Sequence, residues 1–182
     1  MRFDPIEVKD KEGRAIIIRS AELSDAEELI TFLKKTAEET PFLIREPDEI
    51  NLTLESEEAF LKNRINAPGE LLLIAEIEGK HIGNCSVSGM GGFRRYSHRC
   101  SIAIALYRKY ANAGIWTQLM DTALLAAKRM GYEQAELEVV SSNKNAIALY
   151  QKLGFQKYGT FPNNMRYSDG VYEDADWMMK KL

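Results

Sequence analysis

Residues 134–155, QAELEVVSSNKNAIALYQKLGF, constrain the fold more than any other stretch of this chain. Residues 134–140 read as a strand. Asn143 then offers an N-cap oxygen, and Ala146, Ile147, Leu149 and Leu153 pack along the helix that follows. Gly154 stops that helix, and residues 156–161 read as the next strand. A strand, a short capped helix and a returning strand form a β-α-β unit, which belongs to a sheet covered by helices.

The remaining elements arrange themselves around that unit. Residues 15–19, AIIIR, form a short apolar strand. Ser24 and Glu27 have capping-box spacing and open a helix running to about residue 38, with Ala26, Leu29, Ile30 and Leu33 at helical intervals. Residues 40–50, TPFLIREPDEI, hold two prolines and read as a loop. Ser56, with Glu57 and Glu58 beside it, starts a second helix whose early acids suit its dipole. Residues 70–77 and 81–88 flank Glu78-Gly79-Lys80 and form a hairpin, and residues 97–106 add a strand. Residues 114–130 form a helix with Ile115, Leu119, Ala123, Ala126 and Met130 on one face. Residues 172–180 supply the last strand, after a polar loop around Asn163, Asn164 and Asp169. The order β-α-α-β-β-β-α-β-α-β-β predicts an α/β (α+β) fold. Its single mixed, mostly antiparallel sheet is flanked by about four helices, in one domain spanning residues 1–182.

Charge and composition narrow the function. The net charge is −3, which argues against nucleic-acid binding and is compatible with a cationic substrate. Cys85 and Cys100 have no metal-ligand spacing and read as buried reduced thiols. The opening residues MRFDP lack a signal-peptide core, and no apolar run reaches the ~20 residues of a membrane span. The expectation is a cytoplasmic protein with no membrane or metal partner.

Two segments carry chemistry. Residues 106–119, LYRKYANAGIWTQL, place a strand end, a loop and a helix start together. A helix start presents unpaired N–H groups and partial positive charge, which suits a phosphate. One glycine is a weak phosphate signal, and a plain strand-to-helix connection is the competing reading. In residues 143–155, Tyr150 lies two turns into the helix. It is either a half-buried packing residue or a proton donor facing the strand ends.

Taken together the two segments resemble the GNAT superfamily of acetyl-CoA-dependent N-acetyltransferases. The pattern N-x-x-A-[IV]-x-L-Y-x-x-x-G-F is matched in full by Asn143, Ala146, Ile147, Leu149, Tyr150, Gly154 and Phe155. Residues 40–43, His98 and residues 169–172 resemble the branch of ribosomal-protein N-terminal acetyltransferases. The resemblance implies an acyl-CoA N-acyltransferase-like fold whose central strand parts from its neighbour to admit pantetheine. Carried over, the backbone at Ile104 and Leu106 holds that arm. Asn112, Ala113, Gly114, Ile115, Trp116 and Thr117 hold the pyrophosphate. Asn143 contacts the arm, and Tyr150 protonates the leaving thiolate. Leu106 N–H polarises the thioester carbonyl. A homodimer is also compatible with the family.

The phosphate segment departs from the family pattern [RQ]-x-x-G-x-[GA]. Ala111 replaces the long polar residue and Trp116 replaces the tiny one. The second reading is therefore a degenerate acyl-CoA-binding or regulatory module without turnover. The leading reading is acetyl transfer to a primary amine, such as a peptide α-amine or a polyamine, by direct attack. At neutral pH roughly a tenth of an α-amine is neutral, against roughly 0.04% of a lysine, which favours α-amines. Glu138 and His98 are candidate bases beside a water chain to solvent. Phe42, Glu46, Asp48 and Asp169 are candidate acceptor contacts. Arg94, Arg95 and Arg99 are either surface charges or phosphate ligands.

Overall fold

The computed structural model describes residues 2–182. Its strands are β1 (Ile6–Lys9), β2 (Ala15–Ser20), β3 (Glu70–Ile77), β4 (Lys80–Gly89), β5 (Arg99–Leu106), β6 (Gln134–Val140), β7 (Gln156–Arg166) and β8 (Tyr172–Lys181). Its helices are α1 (Ala26–Glu39), α2 (Leu54–Asn66), α3 (Ile115–Arg129) and α4 (Lys144–Lys152). The strands form one open sheet in the order β1-β2-β3-β4-β5-β6-β8-β7. All neighbours are antiparallel except β5 and β6. The expected mixed sheet with four helices is thus present, with β1 as an additional strand at its edge.

Alternation divides the sheet's side chains between two faces. Leu73, Cys85, Val87, Cys100 and Ile102 point to the face covered by α3. Leu119, Met120, Ala123, Ala126 and Ala127 of α3 are fully enclosed there. Burying each large aliphatic side chain contributes about 1.5–3 kcal/mol, so this layer supplies most of the apolar stabilisation. On the other face Ile74 packs with Ala26, Leu29 and Leu61 under α1 and α2. Both cysteines are buried and free, as expected, and burial pushes the Cys100 thiol up to about 12.

Three boundaries differ from the sequence expectation. Ser24 does not cap α1. A 3-10 turn, Leu23–Asp25, precedes the helix, and its capping box joins Glu22 to Asp25. Asp25 receives both terminal nitrogens of Arg19 at 2.8 Å, so the ion pair rather than a serine hydroxyl organises this turn. Helix α2 begins at Leu54, because Thr53 is the N-cap and Ser56 its reciprocal partner, at 3.0 and 3.1 Å. Strand β7 continues to Arg166 through an irregularity between Phe161 and Met165, so Asn163 and Asn164 lie within it rather than in a loop.

The one parallel pair is short. Strands β5 and β6 are in register only at Arg99–Gln134, Cys100–Ala135 and Ser101–Glu136. Beyond those residues they diverge, while β5 stays paired with β4 as far as Leu106–Gly83. At the closed end Arg99 grips Glu136 through Nε and Nη2, the latter 2.6 Å from Oε2. Gln134 Nε2 also donates to Glu136, at 2.8 Å.

Candidate active site

The parting of β5 and β6 leaves backbone groups without a strand partner. Tyr107 N–H donates to Ile82 C=O at 3.1 Å, and Arg99 C=O accepts from Met90 N–H at 3.1 Å. Odd-numbered residues of β5 therefore face β4, and the alternation turns Ile104 and Leu106 toward β6. Beyond Ser101 no residue of β6 is in register to receive them. Gly83 makes room for this arrangement. A Cβ there would collide with Leu106 Cδ1 and lie 2.9 Å from Ala105 C=O.

The wedge leads to the start of α3. Gly114 is its N-cap and adopts φ 81°, a left-handed conformation that suits glycine. Asn112 is exposed, Ala113 and Ile115 are buried, and Gly114, Trp116 and Thr117 are half-buried. Ala113 C=O accepts from Lys11 N–H at 2.9 Å, and the Lys11 side chain passes over Gly114. The 3-10 turn before this loop contributes Arg108 and Lys109. Hence the helix start combines free N–H groups with the Lys11 cation, which suits a phosphate group. Where Ala111 lacks a long polar side chain, Lys11 is the cation beside Gly114.

Tyr150 lies beneath the wedge. Its ring is 8% exposed and packs against Trp116 (5.0 Å between centroids) and Phe155 (5.8 Å). Its hydroxyl has no hydrogen-bond partner among the described residues. Burial raises the phenol well above its ordinary value, with a further contribution from Cys85, whose strand partner is Ile104. The phenol therefore stays protonated at neutral pH. The Trp116 indole is turned onto that ring, with 59° between the ring planes. Asn143 caps α4 as expected, its Oδ1 accepting from Ala146 N–H at 3.2 Å.

The opposite face of β5 opens into a cavity of 390 Å³. Its floor is Asn84, Ser86, Ala103 and Ala105, and these short side chains leave space above the sheet. Leu29 and Leu33 of α1, Ile50 and Leu52 of the connecting segment, and Phe60 of α2 form its walls. Wedge and cavity meet at residues 103–105.

Several sequence candidates lie elsewhere. His98 precedes β5 at its closed end, six residues before Ile104, ~20 Å along an extended chain. Its carbonyl accepts from Glu133 and Gln134 N–H groups, so its place is in the strand pairing. Arg99 is held by Glu136 at the same closed end, and Arg94 and Arg95 are exposed near it, remote from the α3 start. Glu46 accepts from Ser168 N–H at 3.0 Å, and Asp169 from Val171 N–H at 2.9 Å. Asp48 is exposed and Phe42 half-buried, and neither lines the cavity. Glu138 is on the cavity face of β6, where Asn164 donates to it at 2.7 Å. The carboxylate on the cavity wall is instead Glu57, a residue read from sequence only as a dipole partner. The available signal was its spacing: Glu57, Leu61, Arg64 and Ile65 share one helical face, and an acid there breaks an inward stripe.

Residues 30–155 match the family described as the Acetyltransferase (GNAT) family. The N-alpha-acetyltransferase of Saccharolobus solfataricus is 30% identical over 96% of this chain and 97% of its own. An acetyltransferase of the GNAT family from Streptococcus pneumoniae superimposes with TM-score 0.87 at 30% identity, covering 92% of this chain and 99% of its own. The yncA protein of Salmonella typhimurium, solved with its cofactor acetyl-CoA, superimposes with TM-score 0.81 at 18% identity, covering 92% and 94%.

Proposed function

The chain belongs to the GNAT acetyltransferase family and is an acetyl-CoA-dependent N-acetyltransferase; from that premise we propose that it acetylates the α-amine of a peptide by direct attack. The observation that carries this reading is the meeting of two openings at residues 103–105. On one side lies the unpaired edge of β5 above Tyr150, and on the other the apolar cavity. A thioester aligned on β5 is reached from the cavity without leaving the protein.

The roles follow from the geometry. Ile104 and Leu106 bind the pantetheine arm as a neighbouring strand would, through N–H and C=O groups left free by β6. Leu106 N–H, already oriented, stabilises the oxygen that gains charge as the amine adds. Asn112, Ala113, Gly114, Ile115, Trp116 and Thr117 offer the helix start to the pyrophosphate, with Lys11 close by. Asn143 holds the turn that aims α4. The amine nitrogen bonds to the carbonyl carbon and the carbon–sulfur bond breaks. Tyr150 O–H gives its proton to the departing thiolate and regains one from solvent. The proton lost by the amine passes to water or to Glu138, the sequence-predicted base that lies on the acceptor side.

The test is thiol release. The protein, acetyl-CoA and a panel of peptides with free α-amines should yield free CoA and N-acetylated peptide in equal amounts. Binding of acetyl-CoA without release for any amine would refute turnover. Thiol release only with lysine side chains or polyamines would refute the α-amine assignment.

A further inference from the structure

The cavity is lined by three charged side chains that the transfer steps leave unused, Glu57, Arg64 and the exposed Arg45. Glu57 faces it from α2 and is 4% exposed; its carboxylate has no hydrogen bond or ion pair among the described residues, and its oxygens are open to the cavity rather than sealed. Arg64 lines the same cavity. Its Nη2 is held by Glu70 at 3.0 Å and by Ser88, and its guanidinium lies 5.5 Å from the Phe60 ring centre. Its Nε is enclosed without a partner, whereas its Nη1 is not enclosed and has no hydrogen-bond or ion-pair partner among the described residues. A largely apolar cavity thus presents one carboxylate and one guanidinium nitrogen that no protein group pairs, both open to a ligand that can replace their water.

We propose that Glu57 receives the N-terminal ammonium of a peptide acceptor, and that Arg64 donates from its free Nη1 to a backbone carbonyl of the same peptide. The two residues are seven positions apart on α2, about 10 Å along the axis. That is the length of about three extended residues. A small alkylamine can satisfy only Glu57, whereas an extended peptide reaches both. The aliphatic walls suit an apolar first side chain, and neutral peptide carbonyls match a donor whose own charge is already held by Glu70. Burial raises the Glu57 carboxyl above its ordinary range, with Arg45 opposing the shift, so an entering cation replaces solvation the side chain has lost.

This assignment rests on the acetyl-transfer reading, and the measurement separates the two. Titration calorimetry compares Leu-Ala-Ala amide, the same peptide N-acetylated, and isoamylamine on wild type, Glu57→Gln and Arg64→Lys. The free peptide should bind wild type at least tenfold tighter than either comparison ligand. Glu57→Gln should weaken the free peptide at least tenfold and raise its KM, leaving the KM for acetyl-CoA within twofold. Arg64→Lys should weaken the peptide but not isoamylamine. The Gln variant should unfold at no lower temperature than wild type, since it removes a buried charge. Equal binding of free and blocked peptides, or an unaltered Gln variant, would overturn the assignment. Tight, Glu57-dependent peptide binding without thiol release would instead overturn turnover and leave the pair standing.

Discussion

Mild acid should destabilise this protein through one imidazole. His81, at the start of β4, is 8% exposed and stacks on Phe32 at 4.4 Å between ring centres. Its Nε2 lies 3.0 Å from Gly83 C=O, and its Nδ1 is enclosed without a partner. Burial lowers its pKa from 6.5 to about 4. The nearby Asp25 charge works against that fall and the nearby Arg19 charge adds to it. Between those two values the unfolded chain carries the proton and the folded chain does not. Stability is therefore full above pH 6.5 and declines as pH falls toward 4. At 1.36 kcal/mol per pKa unit, the drop from 6.5 to about 4 sets a ceiling of about 3.4 kcal/mol, with about 2.5 kcal/mol lost by pH 4.5. His81→Gln keeps an N–H for Gly83 and cannot take up a proton. Urea unfolding of both proteins from pH 7.5 to 4.5 removes the contribution of carboxylates common to both. The variant should gain about 2.5 kcal/mol on wild type across that range. Parallel curves, differing by a constant amount at every pH, would refute the reasoning.

Three further outcomes follow from the site. Tyr150→Phe keeps the packing on Trp116 and Phe155, so stopped-flow or steady-state thiol release should fall about 10²–10⁴-fold while acetyl-CoA affinity holds; unchanged turnover would remove the hydroxyl from the mechanism. Trp116→Ala should lower the unfolding free energy by about 2 kcal/mol and lower kcat, without tightening acetyl-CoA binding, because the indole supports the tyrosine ring; a large affinity gain in a titration would show instead that the indole obstructs the wedge. Gly83→Ala drives a methyl group into Ala105 C=O and Leu106 Cδ1, so kcat/KM for acetyl-CoA should drop at least tenfold, and wild-type kinetics would show that β5 tolerates the shift.

Much of the architecture was legible because its signals are local. The hairpin around Glu78 and Gly79, α3 ahead of Gly131 and α4 between Asn143 and Gly154 are each marked by turn or cap residues. The family was legible from α4 taken together with the segment that opens α3. What escaped depends on distant partners. Strand β1 is four residues with no apolar run, and it exists because β2 accepts it at the sheet edge. Ser24 loses its capping role because Arg19 draws Asp25 into the turn. Glu46 and Asp169 looked available to an acceptor, but the loop backbones use them. Glu57 looked like a dipole partner, since nothing nearby in sequence reveals that α1 and residues 40–53 enclose it.

The strand segment shared by wedge and cavity has a kinetic consequence. Ala103 and Ala105 are the cavity's floor, and Ile104 between them is the edge left open by β6. A peptide arriving first meets a floor whose central residue is unsupported on one flank. Once a thioester arm lies along Ile104 and Leu106, that flank is closed and the floor is fixed. Substrate addition should therefore be ordered, with acetyl-CoA leading and the peptide following. Initial-rate plots should show intersecting lines, and an N-acetylated product peptide should bind the CoA-loaded protein in preference to the free one.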